Sequence, residues 1–252
     1  MRIEQYYGRG PSMHPTLKID DSLTDDVVLW RYMDLSKLVA LLSGGLWLAR
    51  ADTFKDRHEG RFPDEMRELL REAYKTLPDG PGGEVKDAED FQEYLLKNTF
   101  ISCWHQNSDE NLAMWEIYGR DASAVAVQTS VGRMRSVLSG VKPEGITFNL
   151  KPVSYMNADE VPGTLRYEEC FFRKRRHYEF EQEVRFSLDT YSRYRPSKNT
   201  PYGKLLTINV NGLVDRVYVH PDCAQWYLDV VCSVMQKFGC SANVVRGTAG
   251  NS

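Results

Sequence analysis

Tyr178-Glu179-Phe180-Glu181-Gln182-Glu183-Val184-Arg185-Phe186-Ser187-Leu188 has a period of two: its even positions read Tyr, Phe, Gln, Val, Phe, Leu and its odd positions Glu, Glu, Glu, Arg, Ser. Extended backbone sends successive side chains to opposite sides of a sheet, so the run predicts a strand with one mostly apolar and one charged face. On such a strand Glu181 and Glu183 share a side, about 7 Å apart at two strand rises. That is close enough for each to raise the other's pKa, or for both to grip one polar or cationic ligand. A solvated face laced by ion pairs fits the same pattern, and both readings stay open.

Outward from this run, helices and strands mix without strict alternation. Val27–Met33 predicts a strand by its β-branched and aromatic content. Asp34 can cap a helix that runs to Gly44-Gly45, and Leu46–Arg50 predicts the next strand. Helices are expected over 63–77 and 87–98, separated by the breaker-rich 78–83, as an insertion at about 61–98. Phe100–Trp104 follows as a strand, then a helix capped by Ser108 and ending at Gly119. Further strands are expected over 122–128 and 146–155, with a short helix near 130–139 between them, and a helix around 168–178. The tail predicts strands near 204–210 and 214–219, a helix over 222–238 and a strand at 242–246. Residues 1–25 are polar, turn-rich and aperiodic, and are expected to form a flexible extension. The fold class expected is α+β: one domain over 26–248, with a central mixed, largely antiparallel sheet flanked by helices.

With 252 residues, 42% hydrophobic and 27% charged, the composition is that of an ordinary globular protein. Lys plus Arg total 32 against 35 acids, so no global field advertises nucleic acid or an anionic membrane. A local basic run, Arg173-Lys174-Arg175-Arg176, suits either the solvated side of a helix or a phosphate-binding patch. The five cysteines lack paired metal-ligand spacing, and no histidine pair has a metal pattern, so neither a disulfide framework nor a bound metal is expected. No run reaches membrane-spanning length, and a cytoplasmic setting is expected. Gly-x-x-x-x-Gly-Lys, Gly-x-Gly-x-x-Gly and Gly-x-Ser-x-Gly motifs are absent.

Arg31 lies in phase with Leu29 and Met33, so on a covered face its guanidinium needs an anion, either a carboxylate of the charged strand or a ligand phosphate. The polar loop Arg50, Asp52, Lys55, Asp56, Arg57, His58 and Glu59 follows directly on a strand, where ligand loops are often mounted. Met114, Trp115 and Tyr118 form one helical stripe, which suits core packing with polar handles at a pocket border.

Leu29-Trp30-Arg31-Tyr32, Leu46-Trp47-Leu48-Ala49, Phe54-Lys55-Asp56-Arg57-His58-Glu59, Ile101-Ser102-Cys103-Trp104, Met114–Gly119 and Glu181–Arg185 together resemble an uncharacterised bacterial family. It is the domain of unknown function numbered twenty-nine seventy-one, often met among mobile and phage-defence genes. The resemblance spans about residues 27 to 246. It departs where the family has Asn-Asp-Pro-Phe-Glu and this chain has Lys55-Asp56-Arg57-His58-Glu59, which keeps Asp56 and Glu59. The order of Arg31, Gly45-Leu46, Ser102 and Glu181-x-Glu183 also resembles ADP-ribosyltransferases. That resemblance implies NAD as substrate, Glu183 and Glu181 as catalytic residues, and Arg31, Tyr32, Ser102, Arg50 and Arg185 as nucleotide-binding residues. Glu183 would stabilise oxocarbenium-like charge and Glu181 would orient or deprotonate the acceptor, a protein or nucleic acid. A toxin or phage-defence effector is the implied role; the competing reading is a non-catalytic module that binds a protein or nucleic acid through Arg173–Arg176.

Overall fold

The computed structural model describes residues 16–56, 58–76, 87–119, 121–141, 147–157, 166–190 and 201–249. The described residues form twelve strands: β1 (Thr16–Ile19), β2 (Val28–Asp34), β3 (Leu46–Arg50), β4 (Thr99–Gln106), β5 (Ala124–Ser130), β6 (Thr147–Pro152), β7 (Ser154–Met156), β8 (Arg173–Arg175), β9 (Glu183–Asp189), β10 (Gly203–Leu206), β11 (Arg216–Val219) and β12 (Asn243–Arg246). Ten make one mixed sheet in the order β1-β6-β9-β4-β2-β5-β11-β12, with β3 joined to β4 and β10 to β3; β7 and β8 pair separately. Within the large sheet β1/β6 and β11/β12 are parallel and the other pairs antiparallel.

The helices are α1 (Leu35–Gly44), α2 (Asp64–Thr76), α3 (Ala88–Lys97), α4 (Leu112–Met114), which runs on into a π-turn at Trp115–Gly119, α5 (Val131–Ser139), α6 (Val210–Leu213) and α7 (Gln225–Lys237). Asp34 caps α1 by accepting from the Lys37 amide at 2.9 Å, and Ser130 caps α5 by accepting from the Arg133 amide at 3.2 Å. Asn111, not Ser108, caps α4.

The two faces of the sheet bury different chemistry. Leu29, Met33, Phe100, Trp104, Val184, Phe186 and Leu188 point into the main core with residues of α1, α5 and α7. The opposite face carries two smaller clusters. One joins Ile101 to Met66 and Leu70 of α2, Leu95 and Leu96 of α3, and Phe171 and Phe172; the other joins Trp30, Tyr32, Met114 and Trp115. The 61–98 insertion therefore covers one face of the sheet.

Strand β4 is a fork. On one side it pairs with β9 from Thr99 to His105, while on the other it meets β3 at Phe100 and Ile101 and β2 at His105 and Gln106. Ser102, Cys103 and Trp104 lie between those partners, where β2 and β3 diverge.

Four expectations are corrected. Thr16–Ile19 is a sheet strand, so the extension expected at 1–25 ends earlier; residues 1–15 lie outside the described residues. The helix expected around 168–178 is a 3-10 turn (Tyr167–Phe172), the strand β8 and a second 3-10 turn (Arg176–Glu181). The strand expected from Tyr178 starts only at Glu183, because Gln182 takes the left-handed conformation (φ 38°, ψ 52°) and ends the second turn. The strand expected near 204–210 stops at Leu206.

Gly45 joins α1 to β3 at φ 117°, and a Cβ there would run into the Leu206 carbonyl of β10. That conformation is close to glycine-only. Gly45→Ala is expected to lower the unfolding free energy by about 1–3 kcal/mol in denaturant titration.

Candidate functional site

Register decides which side chains of β9 meet which of β4. Glu183 lies opposite His105 and Arg185 opposite Cys103, and the pairs share the insertion-covered face. All seven residues of β9 are buried, so its charged face is not the solvated one that the sequence also allowed. Those charges must be compensated locally.

Compensation comes from segments far apart in sequence. Arg185 grips Glu183 with Nε on Oε1 and Nη2 on Oε2, both at 2.9 Å, donates Nη2 to Glu59 at 3.1 Å, and donates Nη1 to the Phe171 carbonyl at 2.8 Å. Lys174 places Nζ 2.5 Å from Glu181, 3.0 Å from Glu59 and 3.3 Å from Glu183, one carboxylate for each of its three donors. The side chains of Lys174 and Glu59 are 8% exposed, Glu183 5% and Arg185 1%. Formally, three carboxylates face two cations. Phe54 and Tyr178 lie against the two cations, with ring centroids 5.5 Å from the guanidinium and 4.8 Å from the ammonium. Tyr118, itself 41% exposed, donates its hydroxyl to Glu181 at 3.0 Å and so links the cluster to the surface.

This environment sets protonation. Burial alone would raise the Glu183 pKa, but the Arg185 charge and hydrogen bonds and the Lys174 charge outweigh it and hold the carboxyl down to about 2. Burial works against the charge of Lys174 as well, yet Glu183, Glu59 and Glu181 together raise its pKa. Burial and the Glu183 charge push the Cys103 thiol up, so it stays protonated. For Tyr118, burial and the Glu181 charge push the phenol up.

Of the residues that the sequence singled out, Glu181, Glu183 and Arg185 meet in this cluster. Glu181 reaches it from the end of a 3-10 turn rather than from β9, so the expected two-residue strand spacing does not apply. Tyr32 lies on the same face, where its hydroxyl accepts from the Asn111 amide at 2.9 Å and its ring meets Trp115 edge-on at 5.0 Å.

Arg31, Ser102 and Arg50 do not join the cluster. Leu29 pairs with Gln106, which puts Arg31, Ser102 and Trp104 on the main-core face of the fork, whereas the β9 carboxylates point the other way. Arg31 donates to Ser102 Oγ at 2.8 Å and lies 5.7 Å from the Trp104 ring. A hydroxyl thus stands where the sequence allowed either a carboxylate of the charged strand or a ligand phosphate, and burial lowers the guanidinium's pKa. Arg50 pairs bidentately with Asp52, at 2.7 and 2.9 Å. Arg31 and Ser102, which the resemblance grouped with Glu181 and Glu183 in one nucleotide site, therefore lie on the other face of the sheet from those acids.

The basic run is also reassigned: Lys174 is buried among carboxylates, and Arg175 points toward Asp56 at 3.8 Å. Lys174 and His105 gave no signal of their site roles in the sequence. Glu59 was visible only as a loop acid matched to a family motif. Arg57 lies outside the described residues. Among the described residues no group of three or more His, Cys, Asp or Glu side chains is placed to hold a metal ion, and no helix is long and apolar enough to cross a membrane.

No protein-family model and no curated protein matches the chain, so the resemblance to the domain of unknown function rests on its motifs alone. Two solved structures are similar to it. Thermus sp. 2.9 DarT in complex with carba-NAD+ is 12% identical and aligns over 90% of this chain and 98% of that one, with a TM-score of 0.39. Thermus sp. 2.9 DarT in complex with ADP-ribosylated ssDNA is 11% identical over 94% and 99%, with a TM-score of 0.42. Both scores lie below 0.5, and neither alignment transfers a fold or an activity to this chain.

The linkage of Glu183 has a definite sign. Its folded pKa of about 2 lies below the ordinary 4.5, so its stabilisation is complete above pH 4.5 and is lost as pH falls toward 2. Glu183→Gln is expected to destabilise the protein by about 3–5 kcal/mol at pH 7, as removal of one partner of a buried pair does. It should also flatten the acid limb of stability between pH 4.5 and 2. Denaturant titrations across that range measure both, and a variant with the wild-type acid limb would show that Glu183 is not the linked group.

Proposed function

We propose that the chain is a nucleotide-using enzyme that cleaves NAD between nicotinamide and ribose and passes the ADP-ribosyl group to an acceptor or to water. The observation that carries this reading is the buried cluster in which, among the described residues, three carboxylates, Glu59, Glu181 and Glu183, face two cations, Lys174 and Arg185. A site with a formal surplus of one carboxylate favours added positive charge. The pyridinium of NAD brings such a charge, and the ribose gains it as nicotinamide leaves.

Within this reading Glu183 is an electrostatic stabiliser rather than an acid: with a pKa of about 2 it has no proton to give at neutral pH. Arg185 grips it bidentately, so its carboxylate needs no reorganisation when charge develops beside it. Glu181 is joined to the surface through Tyr118, and is the acid placed to orient an acceptor. Arg31 and Ser102, on the other face, play no part in it.

Incubation with NAD labelled in the adenylate moiety tests the proposal. Nicotinamide release is expected, with label appearing as ADP-ribose or on an acceptor. Absence of binding, of release and of labelled product together would overturn it. Glu183→Gln should lower release by about 100-fold or more, the scale for loss of a preorganised charge-stabilising group. Its melting temperature is followed in parallel, because the same carboxylate supports the fold. Glu181→Gln keeps both cations paired with Glu183 and should spare NAD binding while slowing transfer to the acceptor.

A further inference from the structure

One buried polar atom beside the cluster has no partner among the described residues: Nε2 of His105. His105 is 2% exposed and sits in β4 directly across from Glu183 of β9, so its ring borders the carboxylates on the same face. Nδ1 lies 2.6 Å from the Glu181 carbonyl. A carbonyl oxygen only accepts, so Nδ1 carries a proton. Burial lowers the pKa of the imidazole and outweighs the opposing pull of the Glu181 carbonyl, which keeps the ring neutral. In that tautomer Nε2 is a bare acceptor. Buried acceptors of this kind are seldom left unsatisfied, since each one costs its desolvation free energy.

The surroundings restrict what can satisfy it. The Tyr32 ring stands edge-on to the imidazole at 6.2 Å, and its hydroxyl already accepts from the Asn111 amide. Trp115 packs edge-on against Tyr32, which makes the wall aromatic. The neighbouring donors are already committed, Lys174 and Arg185 to the carboxylates, the Tyr118 hydroxyl to Glu181 and the Cys103 thiol to Glu183, so a donor for Nε2 has to come from outside this set. A sugar hydroxyl is neutral, donates one hydrogen bond, and in a vicinal diol has a second hydroxyl that can reach a neighbouring carboxylate.

We infer that His105 is a ligand-binding residue whose Nε2 accepts a hydrogen bond from a ribose hydroxyl, with the Glu183 carboxylate taking the adjacent hydroxyl of the same diol. The assignment rests on the NAD reading for the identity of the sugar's carrier, and adds to it a recognition element from β4 that neither Glu183 nor Arg185 supplies. It also gives the β4–β9 register a role: a slip of one residue would send His105 and Glu183 to opposite faces.

The experiment is a titration of full-length protein with ¹⁵N-labelled histidine, followed by NMR, against NAD, 2′-deoxyribosyl and 3′-deoxyribosyl NAD analogues, and free D-ribose. The His105 Nε2 resonance is expected at the position of a neutral, non-protonated nitrogen and should shift on addition of NAD. Each deoxy analogue should bind about tenfold more weakly, as expected for one lost hydrogen bond, and the one lacking the hydroxyl held by His105 should leave the Nε2 signal in place. His105→Asn keeps a donor toward the Glu181 carbonyl, and its shorter side chain leaves no acceptor where Nε2 stood. It should retain the wild-type melting temperature and lose about tenfold in NAD affinity. If that variant unfolds, the wild-type protein with the deoxy analogues still decides the matter.

NAD binding that leaves the Nε2 signal in place, or equal affinity for NAD and both analogues, overturns the inference and leaves the NAD reading standing. A signal already typical of a hydrogen-bonded nitrogen that no ligand moves would assign the site to an internal water and also overturns it. Failure of NAD to bind, with a shift on ribose, overturns the NAD reading and supports the sugar site. Failure of both overturns both.

Discussion

An ammonium group with three donors and three carboxylates to receive them is the contact on which the rest of this structure depends. Lys174 arrives on the two-stranded side ribbon, Glu59 on the loop after β3, Glu181 on a 3-10 turn and Glu183 on the central strand β9. Four chain segments are thereby fixed to one point. Arg185 adds a second bond to two of the same carboxylates, so Glu59 and Glu183 are each shared between both buried cations. Isolated buried ion pairs are poor stabilisers, but they are demanding about geometry, and this cluster specifies where β8 and the loop after β3 sit on the sheet.

The cluster divides the insertion-covered face into two apolar territories. On one side Ile101 and Cys103 pack with the insertion helices, and on the other Trp30, Tyr32 and Trp115 form an aromatic patch. A charged band between two apolar ones keeps water-competing contacts few, so field strength there is high, and the Glu183 carboxyl is held below its ordinary range while the Cys103 thiol is pushed above its own. The same two-faced construction separates Arg31 from the acids. A single strand, β4, carries Ser102 toward the main core and Cys103 and His105 toward the cluster, because neighbouring residues of a strand cannot share a face.

Much of this was legible in the amino-acid sequence. The strand, helix, strand opening, the cap at Asp34, the stop at Gly45, the helical insertion and the alternation of Glu183 to Leu188 all follow from local periodicity and turn chemistry, and the structure has them. What could not be read is equally local in origin. Alternation over Tyr178–Gln182 is accidental: a 3-10 turn and a left-handed Gln182 use the same residues differently, and period counting over five positions does not separate the two. The basic run suited a solvated helix side or a phosphate patch, because neither its strand partner nor Glu59, which helps bury Lys174, is near it in sequence. Phase put Arg31 on the face of Leu29 and Met33, but whether the β9 acids share that face depends on register between β2, β4 and β9, which is a long-range property.

Lys174 and Glu183 touch although eight residues lie between them, so the intervening chain is a ring closed by charge. Such a ring has a fixed circumference. One residue more or fewer between Arg175 and Gln182 would leave the ammonium and the carboxylate on arcs that no longer meet, whatever the added residue's chemistry. Surface segments elsewhere can change length with little consequence; this one, though it reads as an irregular connection, is held to its count as strictly as a strand in the middle of a sheet.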